Sequence, residues 1–475
     1  MTRMADPQPS FADLEFFHQG VQLDPLLQAV STFLETQADL VERVRQDLVR
    51  GLKQPQTGRR GLTPSQTLRS LVLMRVKNWD YRELAERIAD GYTLRGFTHF
   101  FSHHVPAHDA FHRACCRLTP EAVRAINDLV VQAAVDLQLE DGHDLRVDTT
   151  VVQTDIHHPS DNTLLWDVVR VVTRLVGDLH KALPEGVTGF TNRTRVARRR
   201  MLAIQRMTTK ERHNHQVETY RELIQITAQV VANARRVLEP LRRRASRSAD
   251  PTVSLLIAEI DHYGQLGDKV IDQARRRVLD GEQVPTADKI YSIFEPHTDL
   301  IKRGKVLTPV EFGHKVFLAE SAHGLITQYR VLEGNPSDED HVAPSIDQHR
   351  ETFGHPPDRY SSDRGFYSAA NVKACEQAGV TVVCIPQRGG TKTAERAAYE
   401  KSKAFKQGQR FRAGIEGRIS VLFRGRGMKR ALAEGRERFE VFVGAAVLAN
   451  NLLTIARLLT HAAKKNAKPH RRRAA

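Results

Sequence analysis

Apolar positions along this chain recur at two periods, and the switches between them divide it. Up to about residue 140 the period is helical. Leu68, Leu71, Val72 and Val76 share one helix face, and Leu84 and Ile88 share another that Gly91 closes. Asp24, Thr63 and Thr119 each precede a proline, which predicts an N-cap followed by proline in the first turn. Thr63 with Gln66, and Asp80 with Glu83, match capping boxes. The two helices around Lys77, Asn78 and Trp79 have the layout of a helix-turn-helix, which would set one helix in a major groove, or of an ordinary helical hairpin.

Residues 143–152 change to period two through Leu145, Val147, Thr149 and Val151, a strand pattern. From Ser160 to about Thr298 the helical period returns, studded with the runs Arg198-Arg199-Arg200, Arg242-Arg243-Arg244 and Arg275-Arg276-Arg277. Strand signals resume at 310–318 and 325–333, joined through His323-Gly324 as a hairpin. A helical piece, a strand ending near Asp363, a second helix, the strand VTVVCIP and a helix carrying Glu416 follow. The apolar stretch 441–459 is interrupted by Asn450 and Asn451 and reads as a buried helix, since no stretch reaches the ~20 uninterrupted apolar residues of a membrane span.

Composition narrows the function classes. The chain has 475 residues, which predicts two or three domains. Lys and Arg number 71 against 56 Asp and Glu, a formal charge of +15 that favours a polyanionic partner. Four cysteines, Cys115, Cys116, Cys375 and Cys384, suggest no disulfide framework and fit a reducing cytosol. The N-terminal residues contain no apolar core of a signal peptide, and no membrane association is expected. Residues 461–475 read as a basic tail.

Three acids carry the candidate chemistry. Asp148 in LRVDTTVV and Asp363 in RYSSDRGFYS end β-branched or aromatic runs, while Glu416 in RFRAGIEGRISVLF sits in a helical segment. Carboxylates delivered from two strand ends and a helix suit Mg²⁺, or Mn²⁺ as a substitute, because hard cations take oxygen ligands. Two such ions about 3.5–4 Å apart can activate an attacking oxygen and stabilise a leaving one in phosphodiester chemistry. Asp144, Asp155, Asp161, Asp338 and Asp340 compete for attention. Asp161 reads as a helix cap, and Ser337 and Asp340 read as the cap of the helix after the third strand. Glu416 can also pair with Arg412 one turn earlier. Gly414 and Gly417 flank it at a helix-weakening cost, which suggests that something large, such as a DNA backbone, comes close. The His-rich segment from His99 to Cys116 has four-residue spacings, but Pro106 interrupts it and zinc is not expected.

The blocks DTTVV, SDRGFYS and Arg412-x3-Glu416 resemble the catalytic signature of bacterial insertion-sequence DDE transposases, most nearly the ISNCY type, over roughly residues 15 to 460. Gln409 and Phe423 stand where that family often has Tyr and Lys, with Arg424 one step on. The resemblance implies an α/β fold: an RNase H-like mixed-sheet catalytic core (141–159 and 299–460, within a domain 141–460), interrupted by a helical insertion at 160–298. An all-α DNA-binding domain at 1–140 would precede it. It implies that Asp148, Asp363 and Glu416 hold Mg²⁺, in two ions, and cleave and join double-stranded DNA at inverted repeats. Arg198, Arg199, Arg200, Arg364, Arg412 and Trp166 would contact that DNA, with Trp166 stacking on an unpaired base. A homodimer or higher oligomer on DNA, in the bacterial cytoplasm at the nucleoid, completes the expectation.

Overall fold

The computed structural model describes residues 2–3, 22–55, 57, 59–245, 250–302 and 310–466. Two compact units divide the chain: residues 155–313, and residues 1–154 together with 314–475.

Besides a short parallel pairing of Thr2–Arg3 with Arg59–Arg60, which departs from the all-helical expectation for residues 1–140, the first unit begins with α1 (Pro25–Thr36), α2 (Ala38–Val49), α3 (Pro64–Lys77), α4 (Tyr81–Asp90), α5 (Tyr92–Phe97), α6 (His108–Cys115) and α7 (Pro120–Asp136). Their starts follow the cap chemistry. Asp24 accepts from the amides of Leu26 and Leu27, Thr119 from that of Ala122, and Asp80 from those of Arg82 and Glu83. Thr63 and Gln66 form a reciprocal capping box. Asn78, in the left-handed conformation, ends α3 and turns the chain into α4. Strand β1 (Asp144–Thr154) follows and ends the first stretch of this unit.

The second unit is helical: α8 (Asp161–Ala182), α9 (Thr194–Arg206), α10 (Thr209–Ala245) and α11 (Pro251–Ala274). They bury Val168, Val172, Leu223, Val230, Ile260 and Val270 against one another. Asp161 is not the cap of α8. Ser160 caps it, and the Asp161 carboxylate accepts instead from Gln273 Nε2 at 2.9 Å and Arg277 Nη1 at 2.7 Å. The unit ends with β2 (Asp299–Lys302), antiparallel to the first residues of β3 (Val310–Ser321), in register Asp299 to Gly313.

From His314 onward the chain is in the first unit again. β3 turns at Gly324 into β4 (Ile326–Val331). Then come α12 (Val342–Phe353), β5 (Arg359–Ser361), α13 (Ala369–Gln377), β6 (Val382–Cys384), α14 (Ala394–Lys401), α15 (Lys403–Gly425), β7 (Arg430–Ala431) and α16 (Arg436–Asn466). The sheet order is β4-β3-β1-β5-β6, with β3 and β4 antiparallel and β1, β5 and β6 parallel. This mixed sheet with helices on both faces is consistent with an RNase H-like DDE domain. Alternation along β3 assigns the faces: Phe317 and Ala319 pack with Leu145, Val147, Tyr360 and Val383, whereas Val316 and Leu318 pack with Leu422, Phe439 and Val447.

α16 explains the apolar stretch near the C-terminus. By length and mean hydropathy of 1.6 it could cross a membrane, yet 89% of its apolar window is buried inside the protein. Ala445, Leu448, Leu452 and Ile455 share a core with Val30, Val44, Leu68, Val72 and Val130 of the N-terminal helices. Residues 461–466, expected to begin a basic tail, continue this helix, and 467–475 lie outside the described residues. Both asparagines within it make specific bonds. Asn450 Oδ1 accepts from Arg418 Nη1 at 3.2 Å. Asn451 is buried, accepts from the Ile326 amide at 2.9 Å and donates to the Ile326 carbonyl at 2.8 Å, completing the open side of β4. Asn451→Leu leaves both backbone groups unpaired. It should lower unfolding free energy by about 2–4 kcal/mol, read by chemical denaturation, with a surface change such as Gln132→Leu as the neutral control.

Candidate active site

Asp148 lies in the middle of β1, just past the point where β5 stops pairing with it at Ser361. Asp363 follows that strand end by two residues and folds back to accept from the Gly365 amide at 2.8 Å, opening a short 3₁₀ turn. Glu416 is on α15. One side chain joins all three. Arg412, one turn before Glu416, donates from Nη2 to Asp148 Oδ2 at 3.0 Å, stands 4.0 Å from Asp363 Oδ2, and donates from Nη1 to Glu416 Oε1 at 3.0 Å. The guanidinium is the cation that these three carboxylates share.

Their settings differ. Asp148 is 13% exposed, Asp363 38% and Glu416 67%. Burial pushes the Asp148 carboxyl up to about 6; Arg412 opposes this, and the nearby charges of Asp363 and Asp338 reinforce it. Glu416 reaches the group only through its pair with Arg412, the contact that any solvent-facing helix could make.

What fixes α15 beside β1 is a buried charge cluster. Glu320 on β3 is fully buried; it accepts from Arg146 Nε at 2.8 Å on one oxygen and from Arg418 Nε at 2.7 Å on the other. Arg146 Nη1 also donates to the Phe411 carbonyl at 2.8 Å, one residue before Arg412. Gly414 is where that arginine passes, and a Cβ there would overlap its guanidinium. The close approach inferred from this glycine is therefore the chain's own Arg146 and not a DNA backbone, while Gly417 faces open space. Gln409, at the position where the resembled family often has Tyr, donates to the carbonyls of Ser362 and Cys384 at 3.2 and 2.7 Å, tying α15 to the ends of β5 and β6. Phe423 packs against the core below the sheet.

Asp338, which by sequence falls in the capping region after the third strand, belongs to this group. Its Oδ1 accepts from Thr149 Oγ1, beside Asp148, and from Lys315 Nζ, each at 2.8 Å. Ser337 makes no side-chain cap, and α12 starts without one. Arg364 follows Asp363 and is exposed.

Trp166 and the first arginine run come together in the second unit. Trp166 with Thr194, Arg195, Arg198, Arg199 and Leu202 lines a concavity of about 470 Å³. Arg200 instead pairs with Glu222. In the later runs, Arg242 pairs with Asp261, Arg276 with Glu282 and Arg277 with Asp161 within the unit. The side chains of Arg243 and Arg244 lie outside the described residues.

A second set of cation-compatible groups, Glu140, Asp141 and His323, stands where the loop before β1 meets the turn after β3. Glu140 is buried there and accepts from the amides of Asp141 and Gly142, from Ser321 Oγ and from His323 Nδ1, so it also works as a clamp between those loops.

Residues 274–452 match the family described as Transposase DDE domain. Comparison with curated proteins and with solved structures gave no match. The family match spans Asp338, Asp363, Arg412 and Glu416 and supports a transposase; Asp148 joins them through the sheet.

The raised Asp148 affinity for protons has a measurable consequence. The folded state holds this proton more tightly than the unfolded chain, so unfolding releases it and stability is lost as pH rises from the ordinary value of 3.8 through about 6. The stability difference between the native chain and Asp148→Asn should therefore fall by a few kcal/mol across that window, because each tenfold change in proton affinity is worth about 1.4 kcal/mol. Urea titrations at pH 4, 5, 6 and 7 check it. A flat difference would mean that Asp148 ionises as it does in the unfolded chain.

Proposed function

We propose that this chain is a DNA transposase of the bacterial insertion-sequence DDE type, ISNCY-like. It binds the terminal inverted repeats of its element, cuts the strand there, and joins the freed 3′-hydroxyl to target DNA. The observation that carries this reading is the meeting of Asp148, Asp363 and Glu416 on one guanidinium, in a chain whose residues 274–452 match a transposase DDE domain.

The donor set fits the cofactor that such chemistry uses. Carboxylates from three elements, ranging from buried Asp148 to exposed Glu416 and gathered around a shared guanidinium, offer the oxygen ligands that Mg²⁺ or Mn²⁺ takes. Asp148, Asp363 and Glu416 would hold two such ions, whose chemistry is to sharpen the attacking oxygen and relieve charge on the leaving one. The chain's own groups set the rest. Asp148 is a ligand only as a carboxylate, so protons compete with the cation for it. Arg412, held at the mouth of the group, is positioned to take a phosphate of the scissile strand when the acids take metal. Arg364 stands exposed beside Asp363 for the same role.

DNA outside the cut is bound by charge. The concavity of Trp166, Arg198 and Arg199 offers a ring for base stacking and two cations for phosphates, whereas Arg200 is held by Glu222. The α3–α4 pair and an assembly of at least two chains on the DNA complete the reading, with α4 the helix that reads sequence.

Two experiments test it. Asp148→Ala, Asp363→Ala and Glu416→Ala should each abolish Mn²⁺-dependent nicking of an element end while leaving gel-shift affinity within a few-fold. Nicking without any joined product in the native chain would leave a nuclease of the same fold, and full nicking by the Glu416 variant would remove that residue from the site. For binding, Arg198→Ala with Arg199→Ala should flatten the slope of log K against log salt by up to about 2, since each phosphate contact contributes about 0.9. Arg200→Ala, whose guanidinium is already paired, should leave the slope unchanged, and equal effects of all three would contradict the division seen at Glu222.

A further inference from the structure

We propose that the solvent face of α15 is a track for the phosphate backbone of the DNA strand that enters the acid group. Lys403, Lys406, Arg410 and Arg424 contact the strand, and Gly417 leaves it room. This rests on the reading of the acid group as a site of DNA cleavage and adds the surface that leads DNA to it. Residues 403, 406, 410, 417 and 424 are spaced three, four, seven and seven apart, which stacks them on one side of a helix. All five are exposed. The other side packs inward through Phe405, Gly408, Ile415 and Leu422. Glu416 stands at the edge between the two, so a strand lying along the outer face passes the acid group.

This face is unfavourable for the chain by itself. Lys403 is the first helical residue after the Ser402 cap, where a cation opposes the helix dipole. Lys406 is one turn from both Lys403 and Arg410, spacings at which like charges repel. Among the described residues none of the four cations has an ion pair or hydrogen bond, and no acid shares their face. Arg412 and Arg418, on other sides of the same helix, are both paired.

Gly417 is an observation of a different kind. Glycine weakens a helix interior relative to alanine. Packing explains two of these residues in α15: a Cβ on Gly408 would overlap Cys384, and one on Gly414 would overlap Arg146. Gly417 has no such neighbour within 4 Å. The space it leaves is on the outside, midway along the helix between Arg410 and Arg424. A polyanion closing on this face relieves the repulsion among the cations and fills that space, and phosphate contacts of this kind need no particular base sequence.

The competing explanation is a solvated helix face, to which bulk at residue 417 makes no difference. The full chain is titrated onto a fluorescein-labelled DNA duplex of arbitrary sequence, reading anisotropy at several salt concentrations, with thermal melting as the check on folding. Combined Lys403→Gln, Lys406→Gln and Arg410→Gln should flatten the slope of log K against log salt by about 2 to 3, since each phosphate contact contributes about 0.9. The melting temperature of that variant should hold or rise, because repulsion within the helix is relieved. Gly417→Met adds bulk without charge; it should melt higher than the native chain and bind DNA about tenfold more weakly. A native slope in the triple variant, or native affinity in Gly417→Met, would overturn the track. The acids are read separately: if Asp148→Ala nicks DNA as the native chain does while both track variants lose affinity, the reading of the acid group fails and the DNA track stands.

Discussion

Bringing carboxylates together is unfavourable, and this structure depends on how that repulsion is held. Asp148, Asp363 and Glu416 come from three separate elements and meet at Arg412, with Asp338 held close by. Asp363 is fixed by its own turn, Asp338 by Thr149 and Lys315, and Asp148 and Glu416 by Arg412. Side chains tied in this way lose little further freedom when a ligand arrives, which is the preorganisation a reactive site needs.

Beneath that group lies a second charge problem, solved by pairing. Glu320 is fully buried, and a lone carboxylate there would be prohibitive, but two arginines grip its two oxygens. Replacing such a cluster with apolar side chains can be neutral or better for stability, so its value here is placement. Arg146 belongs to the strand of Asp148 and holds the carbonyl beside Arg412, while Arg418 sits further along the same helix. The clamp sets the helix of Glu416 against the strand of Asp148, and Gly414 is the residue that lets it close.

Much of the local structure was legible because short-range chemistry determines it. Caps at Asp24, Thr63 and Thr119 need only the next three residues, and the alternation at Leu145, Val147 and Thr149 needs only a sheet with two buried faces. What escaped depends on distant partners. Asp338 follows a serine and precedes a helix, so it looks like part of a cap; its defining contact, with Thr149, is 189 residues away. Gly414 announced a close approach, but nothing in its own neighbourhood named Arg146 as the visitor. The arginine runs read alike in sequence, yet acids elsewhere in the second unit neutralise Arg200, Arg242, Arg276 and Arg277 and leave Arg198 and Arg199 beside Trp166.

Among the described residues of the first unit, two groups offer ligands to a metal: the three acids around Arg412, and Glu140 with Asp141 and His323, whose ligand atoms lie within 4.8 Å of one another. The first sets its carboxylates around one arginine, Arg412, for which we propose a phosphate-binding role. Crystals grown with Mn²⁺ and a short DNA end, measured at the manganese edge, separate them. Anomalous density is expected between Asp148 and Asp363, with Arg412 turned onto a phosphate. Density at Glu140 and His323, with Arg412 still bridging the acids, would contradict it.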